Sequence, residues 1–327
     1  MTSKIEISHR TIIFTVAFLA GLWLILQIRD ILFLLFIAFL LMTALHPLVN
    51  LLGKLRLPRF LAIMLVYVVI FGLFGVSFAG TIPTLIVQST RFAQELPSVV
   101  SRVLPYWNID VSALTSQIAP IGENMVKVLV GIFSNIVTTL TVLVFTFYFL
   151  LERSSAQQVF TAMMGETVAS QFLDIIRRIE KRLGTWVRGE LILMVFVGVF
   201  SFVGLTILRV EFALPLAILA GLLEIVPTIG PIVSAVPAVL VALAVSPLFA
   251  LSVVALYFIV QQIENNILVP LVMKRVTGFS PLITILALMI GGRLAGVVGF
   301  VLAVPVMLVS QVLIEEFLAK GGHKNIK

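Results

Sequence analysis

Long apolar runs separated by short polar stretches dominate this chain of 327 residues. An α-helix needs roughly 17–25 apolar residues to cross a bilayer. Runs of this kind lie at 11–28, 31–52, 59–87, 126–151, 189–208 and 248–272. Two further apolar segments, 212–246 and 281–316, are interrupted near the middle by glycine or proline. The pattern predicts an all-α, polytopic transmembrane protein with two broken helices.

Composition supports the membrane assignment. Hydrophobic residues make up 61% of the chain and charged residues 11%, which is too apolar for a soluble core. Cysteine is absent, so disulfides, thiolate metal sites and cysteine nucleophiles are excluded. Because the run from Thr11 to Gln27 has no small-residue cleavage pattern, we expect an uncleaved span rather than a signal peptide. The sequence indicates neither a cofactor nor a metal site.

The distribution of basic residues predicts the topology. With a cytoplasmic N-terminus, sixteen Lys and Arg residues fall on the cytoplasmic side and five on the other. This bias holds only if each broken segment enters and leaves the membrane on the same side. We therefore expect two re-entrant hairpins, with both termini and Ser280 cytoplasmic and with Pro105 and Pro247 outside. The competing arrangement, one kinked span per segment, would place Lys274 and Arg275 outside.

A weak internal repeat fits the two hairpins. The pairs Arg209-Val210 and Pro215-Leu216 and the residue Gly230 recur 66 residues later as Arg275-Val276, Pro281-Leu282 and Gly296. Each copy is a span followed by a hairpin, and the two hairpins would enter from opposite sides. This is an inverted repeat of the kind found in secondary transporters. Chance recurrence in a biased composition is the alternative.

The chain divides into three predicted regions. Residues 1–125 hold the N-terminal transmembrane helices and an outer amphipathic segment, 88–123. Residues 126–188 add a transmembrane helix and a cytoplasmic amphipathic helix. The basic face of the amphipathic helix either meets anionic lipid headgroups, or it is solvated and the helix packs on neighbouring loops. Residues 189–327 form the inverted-repeat transport core.

Polar residues inside the apolar segments are the candidate site residues, because a charge at the bilayer centre costs about 2.5–3.5 kcal/mol. At about 100° per residue, Gln261, Glu264 and Asn265 share one helix face. Glu224 and Arg293 lie at the two hairpin tips, and we expect them to pair. The predicted substrate or ion pathway comprises Glu224, Pro227, Thr228, Gly230, Pro231, Gln261, Glu264, Asn265 and Arg293. We also expect the backbone groups freed by the break at 227–231 to be available to the solute. Structural roles, a packing salt bridge and interhelical amide bonds, are the alternatives. Glu190, at the start of the run 189–208, is expected to be interfacial.

Three motifs carry a family resemblance. They are Glu224-Ile-Val-Pro-Thr-Ile-Gly-Pro231, then Gln262-Ile-Glu-Asn-Asn266 with Leu268-Val-Pro270, and then Gly291-Gly292 to Gly299 closing on Ala303-Val-Pro305. In this order they resemble the autoinducer-2 exporter family of permease-like bacterial membrane proteins. The resemblance implies a multi-pass transporter of the bacterial cytoplasmic (inner) membrane. Some members of that family are linked to export of autoinducer-2, a quorum-sensing signal, and others to sodium(lithium)/proton antiport. Where the family often has a His-Pro pair, this chain has Ser280-Pro281, which disfavours a histidine-dependent proton step.

We therefore expect a transporter of a small polar solute, such as autoinducer-2, or of an ion. A sodium(lithium)/proton antiporter and an oligomeric pore or scaffold are the alternatives. An enzyme is not expected, because the H-E-x-x-H and G-x-S-x-G motifs and paired intramembrane aspartates are absent. The expected partners are the lipid bilayer, a small polar solute or cation, and further copies of the chain. Nucleic acid is not expected, since topology accounts for the net charge of +7.

Overall fold

The computed structural model of the chain describes residues 9–103, 136–272 and 279–322, and these residues are helical apart from short connections. The helices are α1 (His9–Gln27), α2 (Arg29–Gly53), α3 (Arg59–Val103), α4 (Ile136–Met164), α5 (Glu166–Ile207), α6 (Ala213–Leu223), α7 (Ile229–Leu243), α8 (Pro247–Ile263), α9 (Val269–Val272) and α10 (Pro281–Gly322). A π-helical turn, Glu264–Leu268, joins α8 to α9. The all-α prediction is confirmed for the described residues.

Several helices are long and apolar enough to cross a membrane. By length and composition there are five in the described residues, or six if the bent helix α4 is counted. The five are Arg10–Gln27, Arg29–Gly53, Glu166–Ile207, Pro247–Val272 and Leu282–Ala319. The multi-pass character is thus confirmed. Residues 126–135, the first part of the predicted span 126–151, lie outside the described part of the chain.

The first broken segment folds back on itself. Helices α6 and α7 are separated by the turn 224–228, and Thr228 adopts a left-handed φ of 66°. Leu216 of α6 and Val241 of α7 belong to one buried cluster, which a continuous straight helix could not bring together. A Cβ at Gly230 would overlap the carbonyl oxygen of Leu223, so the turn requires glycine there.

The second broken segment has a sharp bend inside α10. Ala295 and Gly296 leave helical geometry, with Gly296 at φ 59°. Beyond the bend, a Cβ at Gly299 would overlap the carbonyl oxygen of Gly291. Residues eight apart in a straight helix are about 12 Å apart, so the two halves lie side by side. Whether either segment re-enters a membrane, and whether the two form an inverted repeat, stay predictions.

One predicted boundary is wrong at the end of α3. The outer segment 88–123 was expected to start a set of short surface helices, but α3 continues to Val103. Phe92 is buried, and its ring lies edge-on to that of Phe212 with 5.5 Å between centroids. Phe92 therefore packs against the α5–α6 connection within the protein. Residues 104–123 lie outside the described part of the chain.

Helix α5 is the centre of the fold. It unites the predicted amphipathic helix and the predicted span 189–208 in one helix, without a break at the predicted region boundary of 188. Two glycines allow other helices to approach α5 closely. A Cβ at Gly184 of α5 would lie 2.6 Å from the carbonyl oxygen of Thr43 in α2, and a Cβ at Gly221 of α6 would lie 2.7 Å from the carbonyl oxygen of Met194 in α5. The other predicted boundary, at 125, lies outside the described residues.

Candidate functional site

A cavity of about 470 Å³ lies between α5, the first helix break, the π-helical turn and the two halves of the bent helix α10. Its lining residues are Trp186, Glu190, Leu193, Glu224, Pro227, Thr228, Ile232, Gln261, Glu264, Asn265, Val269, Phe279, Thr284 and Val304. Seven of these fourteen residues have apolar side chains and seven have polar ones, and sites for small molecules likewise combine apolar walls with converging polar groups.

Three buried glutamates give this cavity its polar character. Glu190, Glu224 and Glu264 are 3%, 2% and 4% exposed and come from three different elements. The carboxyl groups of Glu224 and Glu264 are close enough to share a hydrogen bond. The Oε2 atoms of Glu190 and Glu224 have no hydrogen-bond partner within the described residues. Buried polar atoms normally have partners, so these oxygens indicate a place where a polar ligand or water binds.

Within the described residues, no group of three His, Cys, Asp or Glu side chains is arranged to hold a metal ion. The carboxyl groups of Glu224 and Glu264 lie beside each other, and the Oε2 atoms of Glu190 and Glu224 are the acceptors without a partner in this part of the chain.

The polar face predicted at the end of α8 meets this cavity. Gln261 donates a hydrogen bond from Nε2 to Oε2 of Glu264 at 3.1 Å, and Asn265 also lines the cavity. The helix becomes π-helical at Glu264. Single π-helical turns inside α-helices are frequent at functional sites. The predicted trio is thus together, although the extra residue in the turn changes the spacing on which the prediction was based.

The first helix break supplies Pro227 and Thr228 to the cavity wall, whereas Gly230 and Pro231 do not line the cavity. We expected the backbone N–H groups of this turn to be free for a solute. Instead, Ile229 N donates to Pro227 O at 2.8 Å and Gly230 N donates to Val226 O at 2.9 Å. The prediction is wrong for these two donors, because the tight turn uses them internally.

Arg293 lies away from the cavity. The residue is exposed and does not line it. The expected ion pair between Arg293 and Glu224 is not present in the described residues. Glu224 lies beside Glu264 instead, and its Oε2 atom has no partner there. The bend of α10 comes two residues after Arg293, and the tip does not turn this side chain toward the first break. A role for Arg293 in the pathway stays a prediction.

Sequence reasoning missed Glu190. The residue begins the apolar run of α5, and we interpreted it as interfacial for that reason. Since α5 continues in the N-terminal direction beyond Glu190, the residue lies inside the helix bundle. The signal in the sequence that could have indicated a site residue is a single acidic residue, Glu190, next to Gly189 and directly before a long apolar run.

These features define a multi-pass helical membrane protein with a carboxylate-lined cavity beside a broken helix. The profile of the AI-2E family transporter matches residues 12–319. The chain therefore belongs to the AI-2E transporter family, and the resemblance of its three motifs is confirmed. Membership supports a membrane transporter.

Three relatives named as putative transport proteins match most of the chain. "Putative transport protein YueF" of Bacillus subtilis (strain 168) is 29% identical over 80% of this chain and 77% of its own length. "Putative transport protein YrrI" of the same bacterium is 28% identical over 80% of this chain and 79% of its own. "Putative transport protein MT0215" of Mycobacterium tuberculosis (strain CDC 1551 / Oshkosh) is 30% identical over 90% of this chain and 85% of its own length.

Proposed function

We propose that this chain moves a small polar solute across the bacterial cytoplasmic membrane by way of the cavity around Glu190, Glu224 and Glu264. The observation that carries the proposal is the burial of three carboxyl groups, two of them with an unpartnered oxygen, around one cavity at a helix break. An unsatisfied polar group in a membrane protein costs free energy that a passing solute or water can offset. Packing alone gives no reason to keep three acids there.

The lining favours a class of solute. The polar groups around the cavity are carboxyl, amide and hydroxyl groups, and among the described residues that line it there is no Lys, Arg or His. Such a wall accepts hydrogen bonds from hydroxyl groups or attracts a cation, and it repels an anion. A neutral solute with several hydroxyl groups or a cation fits it better than an anionic solute does. Autoinducer-2 is the candidate solute that the family name suggests.

The two broken segments supply the moving or gating parts in this proposal. Each is folded back at its break, and broken helices at membrane depth are stable only where they line a cavity or are buried in protein. We place both as re-entrant hairpins related by an inverted repeat, with both chain termini in the cytoplasm. Thr228 of the first segment and Thr284 of the second line the same cavity, so a displacement of either segment would change access to it.

Flux measurements in proteoliposomes test the proposal. Purified protein is reconstituted, and uptake of autoinducer-2, other small polyols, cations and anions is measured with and without imposed proton and sodium gradients. We expect saturable flux of a hydroxylated or cationic solute. Glu264→Gln should reduce that flux at least about tenfold while expression stays intact, because it changes the group that Gln261 and Glu224 contact. Asn265→Ala should weaken solute binding.

The matched control is Asn266→Ala, which changes an exposed amide one residue beyond Asn265 and outside the cavity. It should keep wild-type flux. Accumulation against a solute gradient would identify a coupled carrier, whereas flux that only equilibrates the solute would identify a pore. If Glu264→Gln and Asn266→Ala have the same flux as the wild type for every transported solute, the cavity is not the route.

A further inference from the structure

A second pocket lies in the helix bundle and shares no lining residue with the glutamate cavity. It has a volume of about 230 Å³ and is formed by the second half of α2, Arg153 in the middle of α4 and the middle of α5. We call it the basic pocket; its lining residues are Met42, Thr43, His46, Pro47, Arg153, Arg177, Glu180, Lys181 and Arg188. Four cationic side chains and a single carboxylate line it. The pocket therefore has a strong excess of positive charge.

Most of this positive charge is not neutralised by the protein. Arg153 pairs with Glu180 and also donates to the ring of His46. Arg188 donates to the Thr43 carbonyl oxygen at 3.2 Å, which leaves its charge unpaired. Arg177 and Lys181 have no carboxylate partner within the described residues, and both are exposed.

The neighbouring cations on α5 behave differently. Arg178 forms ion pairs with Asp174 and Glu316, and Arg182 pairs with Glu315 at 2.7 Å. One side of this helix segment is thus neutralised by α10, and the cations on the side of the basic pocket are left without anions. Like charges so close together repel one another unless an anion lies between them.

An apolar cavity continues from the basic pocket. It has a volume of about 250 Å³ and shares Met42, Arg153, Arg177 and Glu180 with the basic pocket. Its remaining walls are the apolar side chains Phe39, Phe149, Phe160, Leu173 and Ile176. A cleft with a cationic part and an adjoining apolar part matches a molecule that carries a negative head and a hydrocarbon chain.

The position along the helices matches the level of lipid headgroups. Arg153 directly follows the apolar part of α4, and Arg188 directly precedes the apolar part of α5. His46 and Pro47 lie in the last part of α2. Polar residues of three apolar helices are therefore gathered at the basic pocket, an arrangement suited to the headgroup level of a bilayer. Basic pockets between transmembrane helices on the cytoplasmic side are known to bind anionic headgroups.

The geometry points to a specific binding site for an anionic phospholipid, with its phosphate among Arg153, Arg177, Lys181 and Arg188 and an acyl chain along Phe39, Phe149 and Phe160. The site ties α2, α4 and α5 together through one bound lipid. It is separate from the glutamate cavity and does not depend on the solute that the chain transports.

Native mass spectrometry of the full-length protein in detergent tests this site. Delipidated protein is titrated with dioleoyl phosphatidylglycerol, dihexanoyl phosphatidylglycerol, dioleoyl phosphatidylcholine and inorganic phosphate. We expect one tight adduct with dioleoyl phosphatidylglycerol, weaker binding of the short-chain lipid, and little binding of phosphatidylcholine. The double variant Arg177→Gln/Lys181→Gln should weaken the tight adduct by about thirtyfold, from the contribution of two cations next to an anionic headgroup.

The matched control is Lys54→Gln/Arg56→Gln, which removes the same charge from exposed positions that follow α2 and do not line the basic pocket. It should bind the lipid as the wild type does. Equal weakening in both double variants would overturn the proposal in favour of unspecific attraction, and so would equal binding of phosphatidylglycerol and phosphatidylcholine. Full displacement of the lipid by inorganic phosphate at equal concentration would also overturn it, since the ligand would then be a free anion.

Discussion

Gln261 donates a hydrogen bond from Nε2 to Oε2 of Glu264 at 3.1 Å, across the point where α8 becomes π-helical. This bond holds one oxygen of Glu264, and the same carboxyl group lies beside that of Glu224. The polar chemistry of the cavity therefore depends on a local contact between two residues three apart, which a regular helix would also bring to the same face.

Loss of this amide should impair transport without unfolding the protein. A hydrogen bond to a carboxylate contributes about 1.5–3 kcal/mol, so we expect Gln261→Ala to lower solute flux by about tenfold or more. Gln262→Ala is the matched control, because Gln262 is an exposed neighbour that does not line the cavity. Proteoliposome flux at equal protein content measures both. Equal flux in the two variants would show that orientation of Glu264 is not needed.

The glycines at the two breaks should be sensitive to added volume. Gly230→Ala and Gly299→Ala would each place a methyl group on a backbone carbonyl oxygen that cannot move aside as a side chain can. Overpacking of this kind destabilises by about 1–3 kcal/mol. Thermal unfolding in detergent, followed by size-exclusion chromatography, should show a lower midpoint for both variants.

The control for this experiment is Gly21→Ala, where an added Cβ would meet no atom within 4 Å. Because alanine is the better helix former, this variant should unfold at the wild-type temperature or slightly above it. If Gly299→Ala also unfolds there, the close approach of the two halves of α10 is not present in the protein.

Glu190 should contribute to transport although the sequence marks it only weakly. Its buried Oε2 atom has no partner in the described residues and lies at the cavity wall. Glu190→Gln replaces this acceptor with a donor, so we expect flux to fall several-fold while the unfolding temperature is kept or raised. The same exchange at the exposed loop residue Glu211 is the control and should leave flux unchanged. A wild-type rate for Glu190→Gln would assign Glu190 to structure alone.

Local sequence features predicted the helices well and the tertiary contacts less well. Helices α1, α2 and α8 follow from uniform apolar runs, and the two breaks follow from Pro227, Gly230 and Gly296. The length of α5 could not be predicted, because a helical pattern on both sides of residue 188 gives no sign of whether the helix is continuous. The continuation also decides that Glu190 is buried.

The pairing of Glu224 with Arg293 failed for a different reason. Both residues were correctly placed near a break, but the direction in which a helix tip points depends on packing and not on local sequence. Glu224 lies inside beside Glu264, and Arg293 is exposed. The π-helical turn at Glu264 was likewise not foreseen, since no simple residue pattern distinguishes it from a regular helix.

The predicted topology can be tested by cysteine labelling, because the chain has no native cysteine. Ser280→Cys and Leu55→Cys should react with a membrane-impermeant thiol reagent only after cells are opened. Leu248→Cys, next to Pro247 at the start of α8 and exposed, should react in intact cells. The positive-inside distribution of Lys and Arg is the physical reason. Labelling of Ser280→Cys in intact cells would contradict two re-entrant hairpins.

In the proposed mechanism solute passes through the cavity beside the first break, so covalent blockage of that cavity should stop transport. Thr228 lines the cavity and is exposed, so Thr228→Cys should react with a bulky thiol reagent. Ser170→Cys, exposed on α5 and outside the cavity, is the labelling control. We predict that complete labelling of Thr228→Cys lowers proteoliposome flux at least about tenfold, whereas labelled Ser170→Cys keeps its rate. Undiminished flux through fully labelled Thr228→Cys would contradict the account.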